Sequence, residues 1–335
     1  MPLVQLSNGK SFEVPQGVTL LEAAIKAGIA MPHSCKTGRC CSCRCMVISG
    51  ESKVLSSECG LSELDRSRGW ILSCARTILT DLVLEVDDLG GAVLPPIKVQ
   101  ACRIVSLNRV APDVVRVVLR LPPSATFPFI PGQYIDVIGP GGTRRSYSLA
   151  NSPIVANTLE LHIRAVKGGA MSNYWFNQAR VNDLLHLRGP HGTFFLRNIA
   201  QRDLVFLATG TGIAPIKAML EALPRFSLDE TPKSVSVLWG ARNVQDLYFD
   251  IKALPGSHEF IPVLSRPEGS GWFGEQGHVQ DVLLRRKSDL LNCSVYACGS
   301  DSMIYSARIA LTSAGLPRNQ FYSDAFVCSS NLESQ

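Results

Sequence analysis

Cys35, Cys40 and Cys43 lie in the segment HSCKTGRCCSCRC with the spacing C-x4-C-x2-C, and Cys74 follows further along. Three thiolates at that spacing, completed by a fourth from downstream, are the ligand set of a [2Fe–2S] cluster. Zinc more typically takes two C-x2-C knuckles, and Cys74 has no such neighbour. A cluster of this kind moves single electrons and does no substrate chemistry of its own. Gly38 gives the loop a position where φ > 0 is free of penalty. Cys41 and Cys45 fall outside the spacing, and Cys59, Cys102, Cys293 and Cys328 read as packing cysteines.

Three further motifs carry chemistry. In RSYS, Arg145 offers a bidentate fork for a diphosphate, Tyr147 a ring face, and Ser148 a hydroxyl for a ring nitrogen, with Ser146 between them. Arg and Tyr on a strand are usually a solvated face. Here PGQY precedes them and HIRAVKGGAMS follows, where Gly168, Gly169, Met171 and Ser172 expose backbone amides suited to a diphosphate. ATGTGIAP departs from G-x-G-x-x-G because Pro215 stands last, and a plain strand-to-helix turn is the bland alternative. Gly210, Thr211 and Gly212 nonetheless put amides at a helix start, where a dinucleotide phosphate binds. YACGS ends an apolar strand with Cys298 and Gly299 at the ligand edge.

The elements around these motifs fall into three blocks. Residues 3–14 alternate about Asn8-Gly9 as a hairpin, VTLLEAAIKAG has helical spacing and stops at Gly28, and DLVLEV is a returning strand. These fit a β-grasp unit. Gly90-Gly91 and Pro95-Pro96 mark a boundary. Short strands then follow (DVVRVVLRL, QYIDVIG, RSYSLA, LELHIRAV, LLHLRGP), the pattern of a small antiparallel barrel. From Asp203, the apolar strands DLVFLAT, SVSVLWG and CSVYACG, each followed by a helical stretch, read as a doubly wound parallel sheet.

Composition excludes several classes. A chain of 335 residues, 46% hydrophobic and 18% charged, is two or three packed domains rather than disorder. The net charge of +5 comes without a basic run interleaved with aromatics, so nucleic acid is not expected. Five of the eleven cysteines crowd into residues 35–45, and the first residues lack the apolar core of a signal sequence, which favours metal-type use in the cytoplasm. Residues 204–223 are apolar but interrupted by Gly210, Gly212, Pro215 and Lys217, so no membrane span is expected.

In the order cluster, RSYS, GTGIAP, YACGS the chain resembles the ferredoxin–NADP reductase superfamily with an N-terminal plant-type ferredoxin domain, over essentially its whole length. The resemblance implies a multidomain α+β and α/β fold: a β-grasp [2Fe–2S] ferredoxin domain (1–90), a linker (91–98), a six-stranded antiparallel FAD-binding barrel (99–200), and a doubly wound parallel-sheet NAD(P)H-binding domain with a C-terminal tail (201–335). It implies that Cys35, Cys40, Cys43 and Cys74 hold the cluster. Arg145, Ser146, Tyr147 and Ser148 hold FAD, together with His162, Ile163, Arg164, Gly169, Met171 and Ser172. Gly210, Thr211, Gly212, Pro215, Arg242, Cys298 and Gly299 hold the nicotinamide nucleotide. Ser148, Cys298, Asp324 and Phe326 fall at the hydride-transfer site, with Phe326 covering the flavin ring. The family usually has Gly where this chain has Cys41, a position where a side chain costs about 1 kcal/mol if φ > 0 is required.

Arg242 and Arg266 are available cations for a 2′-phosphate, but Trp272-Phe273-Gly274 stands where NADPH-preferring relatives place Lys and Tyr. NADH is therefore the expected donor. It delivers two electrons together, and FAD splits such a pair for a one-electron centre. TRRSYSLANSP, ELHIRAVKGGAMS, GPHGTFF and the tail FYSDAFVCSSNLES resemble reductases that serve the pyridoxamine-phosphate (PMP)-dependent dehydrase of CDP-3,6-dideoxyhexose and lipopolysaccharide biosynthesis. An oxygenase component as acceptor is the alternative, and a zinc-filled interaction module without enzyme activity is the third reading.

Overall fold

The computed structural model describes residues 2–86, 89, 91–153, 157–267 and 271–326. The tail motif beyond Phe326, with Cys328, and Gly90 of the expected boundary lie outside the described residues. By packing, the chain divides into two bodies: residues 1–94 with 192–197 and 323–327, and the remainder.

The first body carries β1 (Leu3–Leu6), β2 (Ser11–Glu13), α1 (Leu20–Lys26), β3 (Arg44–Ser49), β4 (Ser52–Val54), α2 (Glu63–Ser67), β5 (Trp70–Leu72), β6 (Arg76–Ile78) and β7 (Leu82–Glu85). Its main sheet runs β2-β1-β7-β3-β5, with β1 and β7 parallel and the β1–β2, β3–β7 and β3–β5 pairs antiparallel. This is the β-grasp arrangement. Thr19 starts α1 with a reciprocal capping box to Glu22. The helix buries Leu20, Leu21, Ala23 and Ala24 in the core around Val4, Leu72 and Leu84.

The second body begins with a barrel of β8 (Lys98–Ala111), β9 (Val114–Arg120), β10 (Tyr134–Ile138), β11 (Arg144–Ser148), β12 (Thr158–Arg164), the short α3 (Ala170–Asn173) and β13 (Leu184–His191). The strand order is β11-β10-β13-β8-β9-β12, and a Leu149–Leu161 bridge closes β11 onto β12. Six antiparallel strands are thus closed without a free edge. Alternate residues (Val115, Val117, Leu119; Leu159, Leu161, Ile163) fill the interior.

It continues with β14 (Asp203–Thr209), α4 (Ile213–Ala222), β15 (Ser234–Ala241), β16 (Glu259–Leu264), β17 (Glu275–Gln276), α5 (Val279–Arg286), β18 (Cys293–Ser300), α6 (Asp301–Ser313) and the start of β19 (Phe321–Phe326), whose residues from Ser323 on count with the first body. The sheet order is β17-β16-β15-β14-β18-β19, with β14 paired in parallel to both β15 and β18. That places a topological switch at β14, and ligands of such sheets bind at the carboxyl ends of the strands there. One expectation fails: no α-helix follows β15. The chain instead makes 3₁₀ turns at Val244–Asp246 and Ile251–Ala253. Tyr248 and Phe249 between them pack on Trp239, with ring centroids 5.1 Å away in each case, so aromatic anchoring replaces an amphipathic helix.

Candidate electron-transfer site

The four expected cluster cysteines stand as two pairs of free thiols. Cys43 and Cys74 sulfurs are 3.2 Å apart, while Cys35 Sγ accepts from the amides of Cys40 at 3.5 Å and Thr37 at 3.4 Å. Cys40 Sγ accepts in turn from Cys35 N at 3.4 Å. Within each pair the hydrogen bond between the two sulfurs shifts them in opposite directions. The Cys40 thiol brings Cys35 down to about 5 and the Cys43 thiol lowers Cys74, whereas Cys40 and Cys43 are pushed up. Among the described residues no three His, Cys, Asp or Glu converge as a single-ion centre. Four thiols at this spacing are the ligand set of a [2Fe–2S] cluster. Binding it requires the ligand thiols to give up their protons.

Cys41 is in the left-handed region at φ +58°, where glycine alone is unstrained. Its thiol donates to the Gly60 carbonyl at 2.8 Å. Gly38 has φ +73°, and a Cβ there would meet Ser57 O at 1.9 Å, so the loop is built around its absence. Cys102 and Cys293 are buried, as expected of packing cysteines, and Cys45 is buried too, but Cys59 is exposed, with its sulfur 3.8 Å from Gly38 O.

Several residues that brace the loop carry no local sequence signal. Glu58, 5% exposed, accepts from Leu72 N at 2.8 Å and from the Arg76 fork at 2.9 and 2.8 Å, bracketing the turn that holds Cys74. His33 and Thr193 exchange hydrogen bonds at 2.8 and 3.0 Å, and Ser42 Oγ donates to Ser323 O at 2.8 Å. The hydroxyl of Ser34, the residue before Cys35, donates to Asp324. Burial, against the pull of that hydrogen bond, raises Asp324 to about 7. Asp324 and Phe326 thus belong to the first body, with Asp324 beside the cluster loop.

On β11 the alternation of the strand divides RSYS. Arg145 and Tyr147 share one face; Ser146 faces the other way, its hydroxyl donating to Asp136 at 2.6 Å. Tyr147 is fixed by Trp175, whose indole N–H reaches its hydroxyl at 3.0 Å. Burial raises its phenol to about 12. Ser148 is buried at the strand's end, next to the Leu149 bridge. Gly168, at φ +74°, turns the chain into α3, and Ser172 Oγ accepts from Val166 N at 2.8 Å. The first-turn amides of α3, from Ala170 on, have no acceptor within the helix. Met171 is buried against Gly139, and Ile163 faces the barrel core. His162 does not join these groups: its ring is buried and bonded to Glu160 and Tyr248 at 2.9 and 3.0 Å.

At the carboxyl end of β14, Gly210–Gly212 form a 3₁₀ turn into α4, with Thr211 and Pro215 buried. A Cβ on Gly212 would meet Cys298 O at 2.1 Å, and one on Gly299 (φ +149°) the Thr209 hydroxyl at 2.1 Å. Cys298 is fully buried. The turn is thus drawn against the end of β18, as a backbone cradle for phosphate requires. Arg242 and Arg266, both exposed, are neighbours at the ends of β15 and β16 through Arg266 N to Arg242 O, 3.2 Å.

Paired thiols at a loop, a cradle on a closed barrel and a glycine turn at a switch point define an iron–sulfur flavoprotein reductase. Residues 4–78 match the 2Fe-2S iron-sulfur cluster binding domain, 101–196 the oxidoreductase FAD-binding domain and 206–308 the oxidoreductase NAD-binding domain. The chain is 40% identical over 315 residues to CDP-6-deoxy-L-threo-D-glycero-4-hexulose-3-dehydrase reductase of Yersinia pseudotuberculosis, covering 92% of this chain and 93% of that one. It is 36% identical to the xylene/toluene monooxygenase electron transfer component XylA of Pseudomonas putida, covering 95% and 91%. The crystal structure of the Amycolatopsis cytochrome P450 reductase GcoB superposes with a TM-score of 0.73 at 29% identity, covering 98% of this chain and all (100%) of that one. The chain belongs to the ferredoxin–NADP reductase superfamily, in the branch with an N-terminal [2Fe–2S] domain. It is an NAD(P)H-dependent oxidoreductase using FAD and a [2Fe–2S] cluster. No described helix is long and apolar enough to cross a membrane.

Proposed function

We propose that this reductase draws on NADH and passes single electrons to the PMP-dependent dehydrase that makes CDP-3,6-dideoxyhexoses, in the cytoplasm. The observation that carries the acceptor is the 40% identity, over nine-tenths of both chains, to the Yersinia dehydrase reductase. When bound, FAD takes up a hydride's two electrons and the cluster conducts them one at a time. The protein's part is positioning. The Arg145 guanidinium and the α3 amides neutralise the flavin diphosphate, and Tyr147, pinned by Trp175, supports the ring system. Ser148 offers its hydroxyl to the flavin's reactive edge. The Gly210–Gly212 turn seats the nucleotide phosphates, and Cys298 lies where the nicotinamide ends. Asp324 and Phe326 also serve hydride transfer in this reading. Domain limits of 1–90, 99–200 and 201–335 are part of it as well.

Anaerobic NADH oxidation by the holo-protein, with and without the dehydrase and a CDP-4-keto-6-deoxyhexose, tests the proposal. Turnover that needs all three components and yields a deoxygenated sugar is the expected result; cofactor reduction that the dehydrase and sugar never draw off defeats it. An oxygenase component is the second reading, favoured by the 36% identity to XylA.

A further inference from the structure

His162, Tyr248 and Trp239 form a continuous link between the barrel and the nucleotide turn, both within the second body. Tyr248 OH lies 3.0 Å from His162 Nδ1. The Tyr248 ring meets Trp239 edge-on at 5.1 Å and 90°, and the Trp239 indole N–H donates to Gly210 O at 2.9 Å. His162 is anchored from behind by Glu160 at 2.9 Å, and Lys217 of α4 stands 3.3 Å from the same carboxylate and 2.6 Å from Glu221. Two places along β12, Arg164 lies against Gly210 so closely that a Cβ there would be 2.4 Å from its guanidinium.

The polarity of the chain is determined. Burial, only partly offset by Glu160, holds His162 below its ordinary value, which favours the uncharged ring. An ionised Glu160 can only accept, which puts the ring proton on Nε2 and leaves Nδ1 to accept from Tyr248. Each member therefore has one arrangement. A turn gripped this way cannot drift from the strand that carries Arg164. Misplacement by about 1 Å costs on the order of 100-fold in a reaction between two oriented partners.

We propose that His162, Tyr248 and Trp239 are positioning residues for hydride transfer: they fix the Gly210–Gly212 turn to β12 and so set the nicotinamide's approach. The proposal rests on NADH being the reductant of this chain's flavin. Its test uses the holo-protein with Tyr248→Phe, His162→Leu and His162→Asn; the Asn amide retains an acceptor for Tyr248. Stopped-flow reduction at saturating NADH, per bound flavin, is expected to slow at least fivefold in Tyr248→Phe and His162→Leu. Recovery to within twofold is expected in His162→Asn. In protein labelled with ¹⁵N-tryptophan, one of the four indole N–H resonances should move in Tyr248→Phe. An unchanged limiting rate and unmoved resonances overturn the proposal, as does a rate loss explained by lost flavin or by weaker NADH binding alone. If the wild-type flavin is not reduced by NADH, the donor assignment fails instead. The indole resonances then still decide whether Tyr248 holds the turn.

Discussion

At the residue scale, adjacent cysteines at positions 40 and 41 have opposite roles because their backbones differ. Cys40 is buried and paired with Cys35; Cys41 adopts φ +58° and turns its thiol to Gly60 O. Cys41→Ser should leave the visible and EPR spectra of the cluster intact, whereas Cys40→Ser should abolish them. The reverse pattern would exchange the ligands. Cys41→Gly should remove left-handed strain of about 1 kcal/mol while keeping iron content, which thermal unfolding with iron analysis would read. Cys41 thus marks where this chain tolerates a strained residue that a glycine would relieve.

At the element scale, the Cys74 turn depends on an ion pair rather than on its own sequence. The Glu58 side chain is 3% exposed and that of Arg76 18%, so removing either leaves a mostly buried charge unpaired. Arg76→Met should cost about 3 kcal/mol in denaturant unfolding of the first body and release iron faster to a chelator. Equal stability and equal release would show that the bracket is dispensable. The β12 network makes a pH prediction. Both His162 and Glu160 have folded-state values below their ordinary ones: His162 from burial, and Glu160 because His162 and Lys217 outweigh its burial. In acid the unfolded chain therefore binds protons that the folded one refuses, so stability falls as pH drops below about 6.5 and further below about 4.5. Tyr248, Lys217, Arg116 and Glu221 are the groups facing this pair. Thermal unfolding between pH 7 and pH 4 should show the decline, and His162→Asn should remove its first step, near the ordinary histidine value.

At the scale of the whole molecule, donor choice turns on two exposed arginines at the rim of the parallel sheet. Arg242 and Arg266 adjoin, but the segment after them continues to Trp272, whose indole donates to Glu275 O at 3.0 Å, and to a fully exposed Phe273. No lysine or tyrosine follows the pair there to complete a 2′-phosphate site. NADH should exceed NADPH in kcat/KM at least tenfold, and comparable values would defeat the preference. Arg242→Ala should then change NADH turnover less than twofold, because its charge has no 2′-phosphate to meet.

The cysteine spacing, RSYS, the glycine turn and the three strand patterns determined the cofactors and the three main sheets, because each is a local pattern. Ligand spacing, strand period and turn chemistry act over a few residues and are legible there. Contacts between distant residues were not. Nothing local sends Glu58 to Arg76, Ser34 to Asp324 or Thr193 to His33. The HIR motif suggested a flavin contact for His162. Its side chain instead belongs to the network with Tyr248, 86 residues away, because the closed barrel leaves that face of β12 to pack on the parallel sheet. The missing helix after β15 has the same origin: Tyr248 and Phe249 find an aromatic partner in Trp239 that only the tertiary fold brings within reach.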